Sequence, residues 1–255
     1  MNTATKGDRT RQAILDQAMA IASRLGMEGL TIGTLAEASG MSKSGLFAHF
    51  GSREELQVAV LEHAAARFAE MVAFPAFREP RGLPRLRKLY QLWQDWTSNA
   101  GLPGGCPLLT ATFEYDDRPG PVRDTLVGIQ RRALEVLEKA VSLAVAEGHL
   151  VPETPVRQLV FEHYGALLAF YHHSRLLGDE DAWRLALEAF ERRMAAYLTP
   201  SAPPAVSAAA AGARGAVSTA RAAAKPAKAS RSPARSPARR TTRPAARPAR
   251  AATRT

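Results

Sequence analysis

The segment "TIGTLAEASGMSKSGLFAHFGSREEL", residues 31–56, carries the start signals of three consecutive helices. Thr31, Ser42 and Ser52 are favoured N-cap residues, because a hydroxyl oxygen accepts a hydrogen bond from a backbone N–H of the first helical turn. Ser52 is followed at the spacing of a capping box by Glu55. The segment therefore predicts short, closely spaced helices and no strand.

The first two of these helices are predicted over residues 31–39 and 42–50, with a tight turn at Gly40–Met41 between them. In the second helix, Leu46 and Phe50 point inward. Two short helices joined by a tight turn match a helix-turn-helix in length and in burial pattern. The outer face of the second helix is then the surface that such proteins lay in the major groove of DNA.

Gly45 stands inside the second of these helices, where glycine costs about 0.5–1 kcal/mol relative to alanine. The cost indicates that DNA or a neighbouring helix comes close to the backbone at this point. The helices that start at Thr31 and Ser52 can each hold a phosphate with their first N–H groups. On the outer face of the second helix we place Lys43, Ser44, Phe47 and Ala48.

Apolar residues recur at helical spacing over most of the chain. The first such segment covers residues 9–25, and Gly26 is a favoured stop. The helix that begins at Ser52 is predicted to run towards Phe74, before a proline-rich linker over residues 75–84. Further helices are predicted over residues 85–99, 108–115, 121–148, 156–177 and 182–198. The sequence thus predicts an all-α fold of about nine helices.

The positive charge of the chain is concentrated at its end. The net charge is +10, but residues 201–255 hold 12 of the 34 Lys and Arg residues and none of the 24 Asp and Glu residues. Residues 1–200 therefore carry 22 basic and 24 acidic side chains, a net charge of −2. The tail has no Leu, Ile or aromatic residue, and it contains the near-repeat "SPARSPARR" at 232–240. We expect residues 200–255 to be disordered, and either to bind nucleic acid without sequence preference or to form an inert solvated extension.

The composition excludes several classes of protein. With 255 residues, 46% of them hydrophobic, the chain is long enough for one or two domains with a core. A single cysteine, Cys106, excludes an internal disulfide and a cysteine-only zinc site. No apolar run approaches the roughly 18 residues of a membrane span, and Met1–Arg11 has no signal-peptide core, so we expect a cytoplasmic protein that does not enter a membrane. No Gly-rich phosphate loop, metal-ligand spacing or nucleophile–base arrangement is visible, so we expect no catalytic residues, no cofactor and no metal.

Residues 8–68 resemble the N-terminal DNA-binding domain of the TetR family of bacterial repressors. The similarity lies in the segment quoted above, where the spacing from Thr31 through Gly40 and Phe50 to Arg53 is that of the family. The resemblance implies a homodimer that binds a pseudo-palindromic operator in double-stranded DNA, at the bacterial nucleoid, and releases it when a small-molecule inducer enters a second domain. It divides the chain into a DNA-binding domain over 8–68 with its helix-turn-helix at 31–50, a ligand-binding and dimerisation domain over 69–199, and the tail over 200–255.

Two positions depart from the family's pattern. Phe47 replaces its usual tyrosine, so a hydroxyl contact to phosphate is lost there, whereas Arg53 stands where lysine is commoner and keeps the charge. Some residues also have structural alternatives: Ser42 can act only as a helix cap, and Phe47 can belong to the core. His49 is interpreted as a surface residue near the DNA backbone rather than as a titrating switch. The DNA-binding residues that the resemblance implies are Thr31, Thr34, Ser42, Lys43, Ser44, Gly45, Phe47, His49 and Arg53.

Aromatic residues and histidines are concentrated in the second domain, where most of them can simply be core. His163 and Tyr164 could present a polar group to an apolar cavity. Cys106 lies in the predicted turn "GLPGGCP", where an exposed thiol would be a candidate redox sensor and a buried one would be structural. The candidate ligand-binding residues are Trp93, Trp96, Phe113, His163 and Tyr164.

The sequence therefore favours a ligand-responsive, dimeric transcriptional repressor with an added basic tail. The resemblance assigns dimerisation to the helices over residues 155–198. One alternative is a nucleoid-type protein that binds DNA non-specifically through the tail. A second alternative, an enzyme with a helical DNA-binding appendage, has no catalytic constellation to support it.

Overall fold

A computed structural model describes residues 5–99 and 101–204 of the chain. Within these residues the protein is all-α, as predicted, and one isolated β-bridge joins Leu150 to Leu198. The predicted disordered tail lies outside the described residues from position 205 onwards. The nine described helices are α1 (Lys6–Gly29), α2 (Ile32–Ser39), α3 (Lys43–Phe50), α4 (Arg53–Phe68), α5 (Leu83–Asn99), α6 (Pro107–Glu114), α7 (Pro121–Ala146), α8 (Val156–His172) and α9 (Ala182–Ala195).

The predicted linker at residues 75–84 is too long at both ends, because the helix that starts as α4 extends through Ala76 and α5 begins at Leu83. The helix continues through a π-helical turn, Ala69–Ala73, and a final turn, Phe74–Ala76. Pro75 is tolerated because it follows directly on the π-helical turn, where the regular pattern of backbone hydrogen bonds is already interrupted. A similar π-helical turn, His173–Leu177, extends α8.

One hydrophobic core runs through the short helices α2 and α3 and through the helices that follow them. It contains Leu35 and Leu46 of the short helices together with Trp93 of α5 and Leu137 of α7. The predicted boundary between residues 68 and 69 falls inside the extended α4, so the two proposed domains share a helix. The division into separate domains stays a prediction.

The last described residues are fixed to the helical body by a buried ion pair. Arg87 of α5 is 3% exposed, and its guanidinium binds both carboxylate oxygens of Glu191 at 2.8 and 2.9 Å. The same guanidinium donates to the backbone carbonyls of Pro203 and Pro204, each at 2.8 Å. Because a buried charge is costly unless it is paired, this arrangement fixes the chain as far as residue 204.

Candidate DNA-binding surface and ligand cavity

The helix-turn-helix is built from the caps that the sequence predicts. Thr31 accepts a hydrogen bond from the N–H of Thr34 at 3.0 Å, and the Thr34 hydroxyl accepts one from the N–H of Thr31 at 3.0 Å. Gly40 ends α2 in the left-handed region, with φ +66°. Ser42 caps α3 by accepting from the N–H of Gly45 at 3.1 Å. The predicted caps at Thr31 and Ser42 are therefore confirmed.

The capping box predicted at Ser52 is only half formed. Ser52 accepts a hydrogen bond from the N–H of Glu55 at 3.0 Å. The reciprocal bond is missing, because the backbone N–H of Ser52 donates to the carbonyl of Phe50 at 2.7 Å. The tight turn between α3 and α4 thus satisfies the donor that Glu55 would otherwise bind.

The two faces of α3 are divided as predicted. Leu46 and Phe50 are buried, whereas Lys43 and Ser44 are exposed and His49 is half-buried. Phe47 is 48% exposed, so it is not a core residue. The side chain of Lys43 makes no hydrogen bond or ion pair within the part of the chain that the structure describes. The outer face of α3 is therefore open to a partner.

Gly45 is close to the cap of its own helix. A Cβ atom at this position would lie 3.2 Å from the Ser42 Oγ and 3.8 Å from the Met41 Cε. The missing side chain thus leaves room for the N-cap of α3, and a close approach by DNA stays a prediction.

Arg53 is engaged at the end of α1. Its guanidinium donates to the carboxylate and the backbone carbonyl of Glu28, at 3.1 and 2.7 Å, and to the carbonyl of Leu30 at 3.3 Å. The side chain is still 43% exposed, so one side of it faces solvent. A phosphate contact by Arg53 stays a prediction, and it would have to compete with Glu28.

Glu28 also binds the segment that follows α6. Its carboxylate accepts a hydrogen bond from the Tyr115 hydroxyl at 3.1 Å and pairs with Arg118 at 3.1 Å. Partial burial acts to raise the pKa of Glu28, but the hydrogen bonds from Tyr115 and Arg53 outweigh it and the pKa is lowered. Glu28 is therefore a charged link between the start of α4 and residues 115–118.

A second contact joins α6 to α1. Gly26 interrupts α1 with φ +74°, and the Glu114 carboxylate caps the turn behind it by accepting from the N–H groups of Met27 and Glu28 at 3.1 and 2.9 Å. Gly104 lies against the backbone of Ser23 and donates its N–H to the Ser23 hydroxyl at 3.1 Å. Only a residue without a side chain fits at Gly104, since a Cβ there would overlap the Ser23 carbonyl. The segment around α6 is thus closely fitted to α1.

Helices α4 to α7 enclose an apolar cavity with a volume of about 180 Å³. Leu108 and Leu109 of α6 form part of its wall, and Gln130 and Arg132 of α7 are its polar lining residues. The remaining lining residues are apolar side chains and one thiol: Ala65, Phe68, Ala69, Ala73, Leu89, Trp93, Cys106, Ile129, Ala133 and Val136.

The candidate ligand residues are distributed unequally around this cavity. Trp93 lines it, Trp96 binds the Cys106 Sγ, and Tyr164 donates to the Gln130 Oε1 at 3.3 Å. Of the five candidates only Trp93 is itself a lining residue, whereas Trp96 and Tyr164 are hydrogen-bonded to lining residues and the other two are not. Phe113 is 67% exposed, and His163 is buried against the rings of Tyr90 and Phe190.

Of the two alternatives for Cys106, the structure shows the buried, structural one. Cys106 is 2% exposed, and its Sγ accepts a hydrogen bond from the Trp96 indole at 3.2 Å. Burial raises the pKa of the thiol. The Gly-Pro-rich turn places Cys106 directly before α6, with its side chain directed into the core.

Two further features bear on the function classes. Among the described residues, no helix is both long enough and apolar enough to span a membrane. The same residues contain no group of His, Cys, Asp and Glu side chains that could hold a metal ion.

Comparison with known proteins shows that family models match both the helix-turn-helix region and the helices that follow it. Residues 14–60 match the family model "Bacterial regulatory proteins, tetR family", and residues 82–190 match "Tetracyclin repressor-like, C-terminal domain". A curated relative, the HTH-type transcriptional repressor AcnR of Corynebacterium efficiens, is 41% identical over 71 residues, which are 28% of this chain and 38% of AcnR. The match thus spans less than half the length of that relative.

Solved structures extend the similarity to the whole helical body. A TetR transcriptional regulator from Chloroflexus aurantiacus superposes with a TM-score of 0.70 at 23% identity, covering 76% of this chain and 99% of the other. The crystal structure of AibR in complex with isovaleryl coenzyme A and operator DNA gives a TM-score of 0.56 at 22% identity, covering 69% and 95%. Both likenesses agree with the nine-helix fold. Since models of the same family match the helix-turn-helix and the helices behind it, the chain belongs to the TetR family of bacterial regulators.

Proposed function

We propose that this protein is a transcriptional repressor that binds a pseudo-palindromic operator as a homodimer and leaves it when a small ligand occupies the cavity. We place it in the cytoplasm, at the nucleoid, and expect no enzymatic activity. The observation that carries the proposal is the open outer face of α3 within a fully capped helix-turn-helix.

DNA binding is supported by the polar and charged residues on that face. Lys43 is unpaired within the described residues and can contact a phosphate, while Ser44 and Phe47 are exposed where base edges would lie. The N–H groups at the starts of α2 and α4 add two further phosphate sites. The relative AibR, whose complex contains operator DNA, shares the fold.

Dimerisation is supported by apolar residues that α8 and α9 leave uncovered. Phe161 is 74% exposed and Leu176 is 72% exposed, and Leu185 of α9 is also exposed. Gly165, one turn after Phe161, is exposed and has open space around it. Large exposed apolar patches mark interaction surfaces, and a two-fold axis would pair each of these helices with its copy.

Ligand control is supported by the position of α6. Leu108 and Leu109 touch the cavity, while Glu114 at the end of the same helix caps α1. A ligand that displaces α6 would therefore loosen the end of α1 and the Glu28 carboxylate that holds Arg53. Release of operator DNA would then follow from a change in the placement of the helix-turn-helix relative to its symmetry mate.

The proposal is tested by selecting bound fragments from genomic DNA and footprinting the protein on them. We expect discrete, two-fold symmetric protection. Lys43→Ala and Arg53→Ala should each weaken binding to operator and random DNA alike, and should flatten the slope of log affinity against log salt by about 0.9. Lys139→Ala, which removes an exposed lysine of α7, is the matched control and should leave both values unchanged. Unchanged affinity in both variants would contradict this assignment.

The nucleoid-type alternative gives a different footprint. If the tail dominated binding, protection would be uniform along any DNA, and a chain shortened to end at Pro204 would lose most of its affinity. The shortened chain keeps the two carbonyls that Arg87 binds, so its fold is not put at risk. For the repressor we expect the shortened chain to keep the same footprint and to depend less on salt.

A further inference from the structure

The interior of the cavity offers a ligand no unpaired polar group. Gln130 donates to the Leu108 carbonyl at 3.4 Å and to the Thr112 hydroxyl at 3.1 Å, and its carbonyl oxygen accepts from Tyr164. The Cys106 thiol already accepts from Trp96. A polar group on the ligand would therefore be buried without a partner if it entered the interior, and this is unfavourable.

Arg132 is the exception among the lining residues. It is exposed, and its side chain makes no hydrogen bond or ion pair among the residues that the structure describes. Gly128, one turn earlier on α7, is its neighbour, since a Cβ at Gly128 would be in ordinary van der Waals contact with the Arg132 Nη1 at 3.4 Å. No acidic residue lines the cavity. An unpaired cation thus stands beside an apolar cavity.

The volume limits what can enter. About 180 Å³ is close to the roughly 150 Å³ of an engineered apolar cavity that accepts benzene, and it is below the roughly 300–1,000 Å³ of drug-sized sites. The buried part of the ligand is therefore about the size of one aromatic ring or one short acyl chain.

We propose that the ligand is an amphiphilic anion: a small aryl or acyl group that fills the cavity, joined to an anionic head that pairs with Arg132 at the surface. This inference rests on the proposed function, because it names the ligand class of the same cavity. The head is either the carboxylate of a free acid or a phosphate of an acyl carrier, since a guanidinium binds both. The apolar body supplies most of the affinity, and Arg132 supplies the selectivity for charge.

Direct binding tests the ligand class without DNA. The probes are 3-phenylpropionate, its alcohol 3-phenylpropanol, its amine 3-phenylpropylamine, and the coenzyme A thioester of 3-phenylpropionate. Binding is followed by calorimetry and by the intrinsic fluorescence of the three tryptophans, of which Trp93 lines the cavity. We expect either the acid or the thioester to bind more tightly than the alcohol, and the amine to bind most weakly. The tighter of the two anionic probes identifies the source of the head.

Three variants separate the parts of the proposal. Arg132→Gln should weaken the anionic probe by about three- to fivefold, the upper part of the range for an exposed ion pair, and should leave the alcohol unchanged. Arg131→Gln, a neighbouring exposed arginine that does not line the cavity, is the matched control and should change neither. Ala133→Phe fills the cavity and should abolish binding of all probes, provided that its melting temperature stays close to that of the wild type.

The ligand class is overturned if the alcohol binds as tightly as both anions, if Arg132→Gln and Arg131→Gln behave alike, or if no probe binds. Its failure is distinguishable from that of the proposed function. If an anionic probe binds through Arg132 but leaves operator affinity unchanged, the ligand class holds and the proposed control of DNA binding fails.

Discussion

The contact between Gly104 and α1 gives the sharpest test of how the helix-turn-helix is attached. In Gly104→Ala the new Cβ would overlap the carbonyl of Ser23 and lie 2.5 Å from the backbone nitrogen of Arg24. Backbone atoms cannot move aside as a flexible side chain can, so α6 and α1 must separate. The change forfeits the Gly104–Ser23 hydrogen bond, worth about 1 kcal/mol, and adds an overpacking cost of about 1–3 kcal/mol.

The expected loss of about 2–4 kcal/mol corresponds to a melting temperature lower by about 5–15 °C for a chain of this size. Ser23→Ala removes the hydrogen bond without the overlap, and should lower the melting temperature by only about 2–4 °C. Gly33→Ala is the control, because its Cβ would meet the Thr31 hydroxyl at an ordinary 3.5 Å. Calorimetry or circular dichroism measures all three. A Gly104→Ala melting temperature within about 2 °C of the wild type would refute the reasoning.

Three other expectations concern single residues. Burial lowers the pKa of His163 to about 4, so the folded protein favours the neutral imidazole. The free energy of unfolding should therefore be highest above pH 6.5 and should fall by about 3 kcal/mol as the pH drops towards 4. A His163→Leu variant, followed by urea unfolding, should lack this pH dependence. Cys106 should react with a thiol reagent such as dithiobisnitrobenzoate only on the timescale of unfolding; rapid reaction of the native protein would contradict its burial. Gly45→Ala should change the free energy of unfolding by less than about 1 kcal/mol, because the better helix propensity of alanine, about 0.5–1 kcal/mol, is opposed by the close 3.2 Å contact with the Ser42 hydroxyl. The affinity for operator DNA should fall. A variant with wild-type affinity would show that DNA does not approach this backbone.

The sequence was sufficient for features that depend on neighbours in the chain. The caps at Thr31 and Ser42 and the inward position of Leu46 were predicted because each depends on residues within one or two turns of the same helix. The start signals of the helices are local for the same reason. The capping box at Ser52 lacks one of its two predicted hydrogen bonds, since the backbone N–H of Ser52 donates to the carbonyl of Phe50 instead of to Glu55.

The contacts between distant segments could not be predicted. Glu114 caps a turn that is 86 and 87 residues away in sequence, and no pattern around either position marks the pair. The cavity is likewise formed by four helices, so Arg132 had no local signal that separated it from Arg131. Whether Cys106 is exposed or buried could not be decided from the sequence for a related reason, because the glycine-rich turn is buried only by its fit against α1 and α5.

The fit of α6 to α1 sets a rule for engineering hybrid regulators from this protein. A biosensor made by joining a relative's DNA-reading helices to this ligand cavity would most simply be cut within α4, the helix that both parts share. Such a cut replaces Ser23 and Gly26 but retains Gly104 and Glu114. The donated helix must therefore leave its backbone accessible to Gly104, and it must offer two free backbone N–H groups where Glu114 now binds Met27 and Glu28. Hybrids should therefore exchange α1 and the segment from Gly104 to Arg118 as one module, or else the sensor will bind its ligand without transmitting the event to the promoter.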